Sequence, residues 1–285
     1  AERSGGHSDA VACRRACQHA QMNVFDAETA ITADGPGTWW VDLTTNWDIG
    51  DNANGGYLMV PVLRAAAEIG GHADPISVTT HFLRPVQGGG RARVDADVVR
   101  RGRTVSVVRG GLSQDGKERL VVTAALGELG TGESSHAAID RPAPEIPGPE
   151  DCIDRSGASQ GVDLPIAGRV TVRLPPERTR PGESGEAVTE GWIRFVDGTP
   201  PSTLALPLFA DAFPPSLFSR FGRVGWVPTI ELTVHVRRRP APGWIQARFE
   251  CDDLADGRMV ESGTLWDSTG RVVARSRQLG LLLTT

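Results

Sequence analysis

The chain repeats one sequence pattern, and the two copies lie about 154 positions apart. The features that recur are His81 and His235, Arg84-Pro85 and Arg239-Pro240, Gly102-Arg103 and Gly257-Arg258, and Trp40 and Trp192. A nearly constant offset over such a span predicts two copies of one fold unit, packed together as a pseudo-dimer. Where the copies differ is where a single active site is expected.

The composition of the chain limits the classes of protein to which it can belong. At 285 residues the chain can form two units of about 110–120 residues. A net charge of −5 argues against nucleic acid as a partner. No apolar run reaches the length of about 18–20 residues that a membrane span needs. The four cysteines suggest no disulfide framework and no apolar leader is visible, so we expect a cytoplasmic protein.

The chain divides into four predicted regions. Residues 1–21 are polar and without periodicity, which predicts a disordered extension that includes Cys13 and Cys17. The first unit covers 22–129 and the second 191–285. Between them, 130–190 is rich in proline, glycine and charged residues and is predicted to be a linker, although 168–175 could form a strand of the second unit.

Each unit is predicted to contain strand, helix and further antiparallel strands. In the first unit, Asn54 and two glycines precede a helix over 57–69, apolar nearly all round and therefore buried. The first unit's strands are expected at 38–43, 76–84, 91–100, 103–113 and 118–128. The second unit has a short helix near 202–213 and strands expected at 191–196, 229–237, 243–251, 258–267 and 271–283.

One helix wrapped by an antiparallel sheet of five or six strands is the hotdog arrangement. The fold class is therefore predicted to be α+β, a double hotdog with two units, each with a helix wrapped by an antiparallel sheet.

The motifs resemble those of the type II double-hotdog acyl-CoA thioesterases, in the thioesterase-like branch common in actinobacteria. The resemblance rests on 54–58 (Asn-Gly-Gly-Tyr-Leu), 80–85 (Thr-His-Phe-Leu-Arg-Pro), 228–233 and 265–278, and it covers about 24–283. It implies hydrolysis of a fatty acyl-CoA, with acyl-CoA as the binding partner and no cofactor. It also allows a homo-oligomer, a dimer of double hotdogs.

The resemblance further implies the catalytic set. In this family an Asp, a Thr or Ser, and a Gln of the second unit activate water, and these roles would fall on Asp211, Thr229 and Gln278. The oxyanion and substrate-binding positions would be Asn54, Gly55, Gly56 and Tyr57, at the start of the first helix. Bare glycine amides at a helix N-terminus favour developing negative charge.

The residue pattern supports these assignments unequally. Asp211 lies in the most apolar stretch of the second unit, where a carboxylate is costly without a partner or a task. Alternation along the last strand places Gln278 inward. Thr229 falls by alternation on the more polar face, and Thr233 is therefore kept as an alternative. Capping, surface pairing or an internal polar network are the structural explanations left open for these side chains.

The first unit lacks this set, because Ala124 or Ala125 matches Gln278. One active site per chain is therefore expected, without a metal site, since no His, Cys and Asp cluster has ligand spacing. Two alternatives remain. One is a non-catalytic acyl-CoA-binding protein. The other is a hotdog hydratase or dehydratase, which needs an interior histidine with a carboxylate, and only His81 and His235 were candidates.

Overall fold

The computed structural model describes residues 22–130, 139–155, 157, 161–222 and 227–283. The predicted extension, 1–21, lies outside the described residues, together with Cys13 and Cys17. The described chain forms one antiparallel sheet of 13 strands, with a separate two-stranded ribbon and helices packed against one face. This arrangement confirms the predicted α+β double hotdog.

The first unit contains six strands of the large sheet and the longest helix. Its helices are α1 (Val24–Glu28) and α2 (Gly55–Gly70). Its strands are β1 (Thr32–Gly35), β2 (Thr38–Asp42), β5 (Asp74–Phe82), β6 (Arg91–Arg100), β7 (Ser106–Gln114) and β8 (Lys117–Gly127), with β3 (Asp48–Ile49) and β4 (Asn52–Ala53) forming the ribbon. Eleven residues of α2 are buried, as its apolar sequence predicts.

The second unit repeats this plan with shorter helices. Its helices are α3 (Ala205–Asp211) and α4 (Leu217–Phe221), separated by Pro214 and Pro215. Its strands are β9 (Ile153–Asp154), β10 (Val170–Leu174), β11 (Val188–Phe195), β12 (Thr229–Val236), β13 (Ile245–Ala255), β14 (Arg258–Trp266) and β15 (Val272–Leu281).

The strand order reveals the repeat. From one edge to the other the sheet runs β1-β2-β6-β7-β8-β5-β12-β15-β14-β13-β11-β10-β9. The second half mirrors the first, with β12 in the place of β5 and β15 in the place of β8. The two units therefore join edge to edge through β5 and β12, which removes one exposed edge from each sheet.

A pseudo-twofold axis passes between Thr79 and Thr233. These residues face each other in the β5–β12 pairing, and their hydroxyl oxygens are 3.0 Å apart. They are separated by 154 positions, the same offset that relates His81 to His235. A residue paired with its own repeat equivalent must lie on the symmetry axis, so the sequence offset and the sheet register agree.

The region predicted as a linker contributes to the sheet. Strand β10 lies within the segment that was considered as a strand, and it pairs with both β9 and β11. The side chains of Trp192 and Trp266 donate hydrogen bonds to the carbonyl oxygens of Pro147 and Arg141, which hold the earlier part of this region against the second unit. The division of the chain into domains stays a prediction.

Both units contribute to one continuous hydrophobic core between the helices and the sheet. Its aromatic part joins Trp47, stacked on Tyr57 with ring centroids 5.3 Å apart, to Phe25, Phe195 and Phe209. Over the described ranges, no helix is long and apolar enough to cross a membrane.

Candidate active site

The start of α2 meets the end of α3 where the two units touch. Asn54 caps α2, because its Oδ1 accepts a hydrogen bond from the N–H of Tyr57 at 2.9 Å. A Cβ atom at Gly56 would lie 2.7 Å from the Cα of Leu208. Glycine at this position therefore lets α3 approach the first turn of α2 closely.

This approach places the Asp211 carboxylate at the N-terminus of α2. Its Oδ2 accepts hydrogen bonds from the backbone N–H of Gly56 at 2.8 Å and from the Asn54 side chain at 2.9 Å. Asn54 also donates to the backbone carbonyl of Asp211 at 2.9 Å. Two N–H donors and the positive end of the helix dipole thus face one carboxylate.

The surroundings of Asp211 favour the protonated form of its carboxyl group more than water does. Burial is the main cause, and it raises the pKa of Asp211 from its ordinary value of 3.8 to about 6. The hydrogen bonds from Gly56 and Asn54 act in the opposite direction, and the negative charge of Glu261 raises the pKa further. Such a pKa suits a general base at neutral pH.

Thr229 and Gln278 form a second polar pair in the same cavity. The Gln278 side-chain amide donates a hydrogen bond to the Thr229 hydroxyl oxygen, with 2.7 Å between nitrogen and oxygen. Alternation along β12 predicted Thr229 on the polar face, but a β-bulge shifts the β12–β15 register between Thr229 and Glu231. The extra residue reverses the alternation, so Thr229 lies on the same face of the sheet as Gln278.

A cavity of about 680 Å³ brings these groups together. Asn54, Gly55, Asp211, Thr229 and Gln278 line it, in the size range of small-molecule sites. Much of the remaining wall is apolar, and the second unit supplies Phe213, Phe218, Val227, Phe249 and Leu281. The arrangement can hold an apolar group beside the half-buried Asp211 carboxylate and an oriented amide–hydroxyl pair.

Two of the predicted binding residues have positions away from this cavity. The Gly56 N–H is directed at Asp211, as described above. The Tyr57 side chain is fully buried, stacks on Trp47, and donates its hydroxyl hydrogen to the carbonyl oxygen of Glu28 at 3.0 Å. Thr233, the alternative to Thr229, faces Thr79 on the pseudo-twofold axis instead.

The histidines considered for a hydratase do not reach the site. His81 and His235 are exposed, so their interpretation as interior residues is wrong. Both lie on the outer face of β5 and β12, opposite to the buried side chains. Among the described residues, no histidine lines the cavity, and no cluster of His, Cys, Asp or Glu could hold a metal ion.

Sequence reasoning missed two charged residues of the cavity wall, Arg155 and Glu261. Arg155 lies in the region predicted as a linker, where nothing in the sequence indicated burial. It donates a hydrogen bond to the carbonyl of Ala212, and burial lowers its pKa to about 10. Glu261 shares its side of β14 with buried Met259 and Leu265, and this alternation was a usable signal.

Comparison with known proteins gives the same assignment to both units. Residues 43–127 match the acyl-CoA thioesterase N-terminal domain, and 141–282 match the acyl-CoA thioesterase C-terminal domain. The chain is also similar to a candidate thioesterase II from Thermobifida fusca YX. The two are 31% identical, with 92% of this chain and 98% of that structure covered and a TM-score of 0.82.

Two further relatives extend the comparison. A hot dog fold protein of unknown function from Alicyclobacillus acidocaldarius is 22% identical, with 93% of this chain and 99% of that one covered and a TM-score of 0.80. This likeness concerns the fold. An uncharacterized protein of Mycobacterium tuberculosis is 28% identical over 265 residues, 85% of this chain and 89% of that protein.

Proposed function

The chain belongs to the family of type II acyl-CoA thioesterases, and we propose that it hydrolyses a fatty acyl-CoA to the free acid and coenzyme A. The observation that carries the proposal is the geometry around Asp211. A half-buried carboxylate with a raised pKa shares one cavity with the hydrogen-bonded Thr229 and Gln278.

In the proposed reaction, Asp211 takes a proton from water while the water oxygen attacks the thioester carbonyl carbon. Thr229 and Gln278 hold that water, since a hydroxyl and an amide can both donate and accept hydrogen bonds. The tetrahedral intermediate then collapses, the carbon–sulfur bond breaks, and the leaving thiolate takes the proton from Asp211. Atoms and charge balance without a covalent enzyme intermediate.

The start of α2 supports the developing negative charge. Asn54 and Gly55 line the cavity, and we expect the carbonyl oxygen of the thioester beside the start of α2. Gly56 contributes indirectly, because its N–H holds the Asp211 carboxylate in place. Tyr57 contributes by fixing the first turn of the helix to Asn54 and to the core.

The direct test is release of free thiol from a series of saturated acyl-CoAs of increasing length, measured with a thiol-reactive dye. We expect turnover to rise with chain length until the apolar part of the cavity is filled. Asp211→Asn is the control for contaminating hydrolases, since it keeps the shape of the side chain. Acyl-CoA binding without thiol release would contradict the proposal and favour a non-catalytic acyl-CoA-binding protein.

A second measurement on the same protein distinguishes a thioesterase from a hydratase or dehydratase. Conversion between an enoyl-CoA and a 3-hydroxyacyl-CoA changes the absorbance of the conjugated thioester and releases no thiol. We expect no such conversion, because no described histidine lines the cavity.

A further inference from the structure

The cavity wall contains a second carboxyl group, that of Glu261. The residue is 5% exposed, and it lines the cavity. Strand β14 places it directly opposite Gln278 on β15, so the two side chains point to the same side of the sheet. Neighbouring strands are about 4.8 Å apart. Glu261 therefore lies one strand away from the polar pair that is proposed to hold the attacking water.

The first unit has an apolar pair at the equivalent place. The pseudo-twofold offset relates Gln278 to Ala124, and Ala124 faces Val108 on β7. Val108 and Ala124 are both buried. The fold therefore packs at this place without a polar group. A buried carboxyl group costs free energy unless it has a partner or a task, so the fold alone does not explain Glu261.

The backbone N–H of Ser216 occupies one oxygen of the Glu261 carboxyl group. It donates a hydrogen bond to Oε2 at 2.8 Å. Within the part of the chain that the structure describes, no basic side chain forms an ion pair with Glu261. Burial raises the pKa of this carboxyl group, and hydrogen bonding by Ser216 opposes the rise. These surroundings favour the neutral form, whose O–H group can serve as a hydrogen-bond donor in the cavity.

The side chains around Glu261 can bury a hydrocarbon chain but cannot form hydrogen bonds to it. Phe249 faces Gly263, two residues along β14 from Glu261, and so lies on the same side of the sheet. Its ring centroid is 5.1 Å from that of Phe213, and Phe213, Val227 and Phe249 all line the cavity. Glu261 thus presents a hydrogen-bonding group beside an apolar wall.

A hydroxyl group is the substituent that this carboxyl group binds best. A protonated carboxyl group donates one hydrogen bond and can still accept, whereas an ionised one only accepts. A hydroxyl group donates and accepts, so it is bound in both states, whereas a ketone oxygen is bound by the protonated state alone. A saturated chain beside Glu261 would leave the carboxyl group without a partner on that side, which is unfavourable.

We propose that the site takes acyl chains that carry a hydroxyl group near the thioester, and that Glu261 is the specificity-determining residue that binds this hydroxyl group. The inference rests on the proposed function, which puts the reacting carbonyl beside Asp211 and Gln278. One strand spacing separates Gln278 from Glu261. The hydroxyl group is therefore expected on one of the first few carbon atoms of the chain rather than at its far end.

The ratio of kcat/KM for 3-hydroxyoctanoyl-CoA to kcat/KM for octanoyl-CoA measures this recognition in the thiol-release assay. We expect a ratio of about 10 in the wild type, as for one hydrogen bond to a buried polar group. Glu261→Gln keeps an oxygen for the Ser216 N–H and an amide donor for the hydroxyl group, so most of the preference should persist. Glu261→Met has a similar length and lacks both groups, so the preference for the hydroxylated substrate should be lost.

Phe249→Leu is the matched control. It changes the apolar wall beside Glu261 and keeps the carboxyl group, so turnover of both substrates can change while their ratio stays as in the wild type. 8-Hydroxyoctanoyl-CoA controls for the position of the hydroxyl group. The wild type should not prefer it to octanoyl-CoA, and a preference for it over 3-hydroxyoctanoyl-CoA would contradict the expected position.

Binding of two thioethers tests the same recognition without turnover. S-(3-hydroxyoctyl)-CoA and S-octyl-CoA cannot be hydrolysed, and isothermal titration calorimetry should give the lower Kd for the hydroxylated compound. If the wild type releases no thiol from either substrate, the proposed function fails, and the two Kd values still decide whether Glu261 binds the hydroxyl group. Equal kcat/KM and equal Kd values in the wild type, or an unchanged preference in Glu261→Met, would overturn the inference. Loss of folding in both Glu261 variants would also overturn it and make Glu261 a structural residue.

Discussion

The two units use one fold for different kinds of chemistry. The first contributes the start of the 16-residue helix α2, with its glycine pair and the Asn54 side chain that binds Asp211. The second contributes side chains, with Asp211 at the end of a seven-residue helix and Thr229 and Gln278 on strands. Residues of both units line the cavity, so the proposed catalytic set lies at the interface between the units.

Equivalent positions make this division concrete. The offset of 154 relates Thr229 to Pro75 and Gln278 to Ala124. Both units even share the bulge, since the register shifts between Pro75 and Ser77 in the first and between Thr229 and Glu231 in the second. The backbone geometry that turns Thr229 inward is thus common to both copies, and the side-chain identity decides which copy carries polar groups.

The largest effect is expected from Asp211→Asn. The variant keeps the shape of the side chain and an oxygen to accept from Gly56, but it removes the basic group. Loss of a general base typically lowers the rate by about 10²–10⁴-fold. Wild-type kcat/KM should also fall below pH 6, following the raised pKa of Asp211, and the residual activity of the variant should lack this dependence.

Two measurements on the same Asn variant make the result specific. Acyl-CoA affinity should persist, because the cavity wall and the helix N-terminus are unchanged. Unfolding free energy should be unchanged or higher above pH 6, because the buried charge is gone. Unchanged turnover would remove Asp211 from the mechanism, and lost folding would make it a structural carboxylate.

The second largest effect is expected at Gln278, which can be compared with its equivalent position in the first unit, Ala124. Gln278→Ala should lower kcat by about 10²-fold, as when one oriented hydrogen-bonding group of a site is removed. Ala124→Gln in the same background should restore nothing, since position 124 faces Val108 in the core of the first unit. It should instead destabilise the fold by about 1–3 kcal/mol through an unsatisfied buried amide.

Turnover and chemical denaturation of the single and double variants measure both parts of this prediction. If Gln278→Ala keeps full turnover, the polar pair with Thr229 is structural. If Ala124→Gln rescues turnover, the two units are interchangeable and the division between them is wrong.

Much of the fold follows from short-range patterns that the sequence displays. The repeat offset predicted two copies of one fold unit, and the mirrored strand order shows them. The Asn54 cap and the glycines before Tyr57 marked the start of α2 to within two residues. Strands such as β6, β12 and β15 lie within two residues of their predicted bounds, because alternation and glycine turns are local signals.

The site was harder to predict where it depends on tertiary register. A bulge changes the side on which Thr229 lies, and no local signal distinguishes a bulge from regular alternation. The contact of Gly56 with Asp211 requires two helices from different units to approach, at a sequence separation of 155. Arg155 and β9 lie in a proline- and glycine-rich region whose composition resembles that of a linker.

The first unit contains a buried carboxylate, that of Asp48. This residue tests whether a buried carboxylate always serves catalysis. Asp48 is 6% exposed, and its Oδ1 has no hydrogen-bond partner among the described residues. It packs closely against the loop between β5 and β6, where a Cβ atom at Gly88 would lie 2.2 Å from the Asp48 Oδ1. Unlike Asp211, it does not line the cavity.

Asp48→Asn should therefore affect stability and spare turnover. Burial raises the pKa of Asp48 from its ordinary value of 3.8 to about 6. A raised carboxyl pKa means that the folded state holds the proton more tightly than the unfolded state, so ionisation destabilises the fold as pH rises through this window. The variant should gain about 1–2 kcal/mol of unfolding free energy above pH 7 and little at pH 4, because the unpartnered charge exists only at the higher pH.

Denaturation of both proteins at the two pH values measures the difference, with thiol release as the parallel assay. An equal gain at both pH values would contradict the ionisation argument. A large loss of turnover would show that a buried carboxylate of the first unit also serves catalysis, and the proposed base could no longer be assigned to the second unit alone.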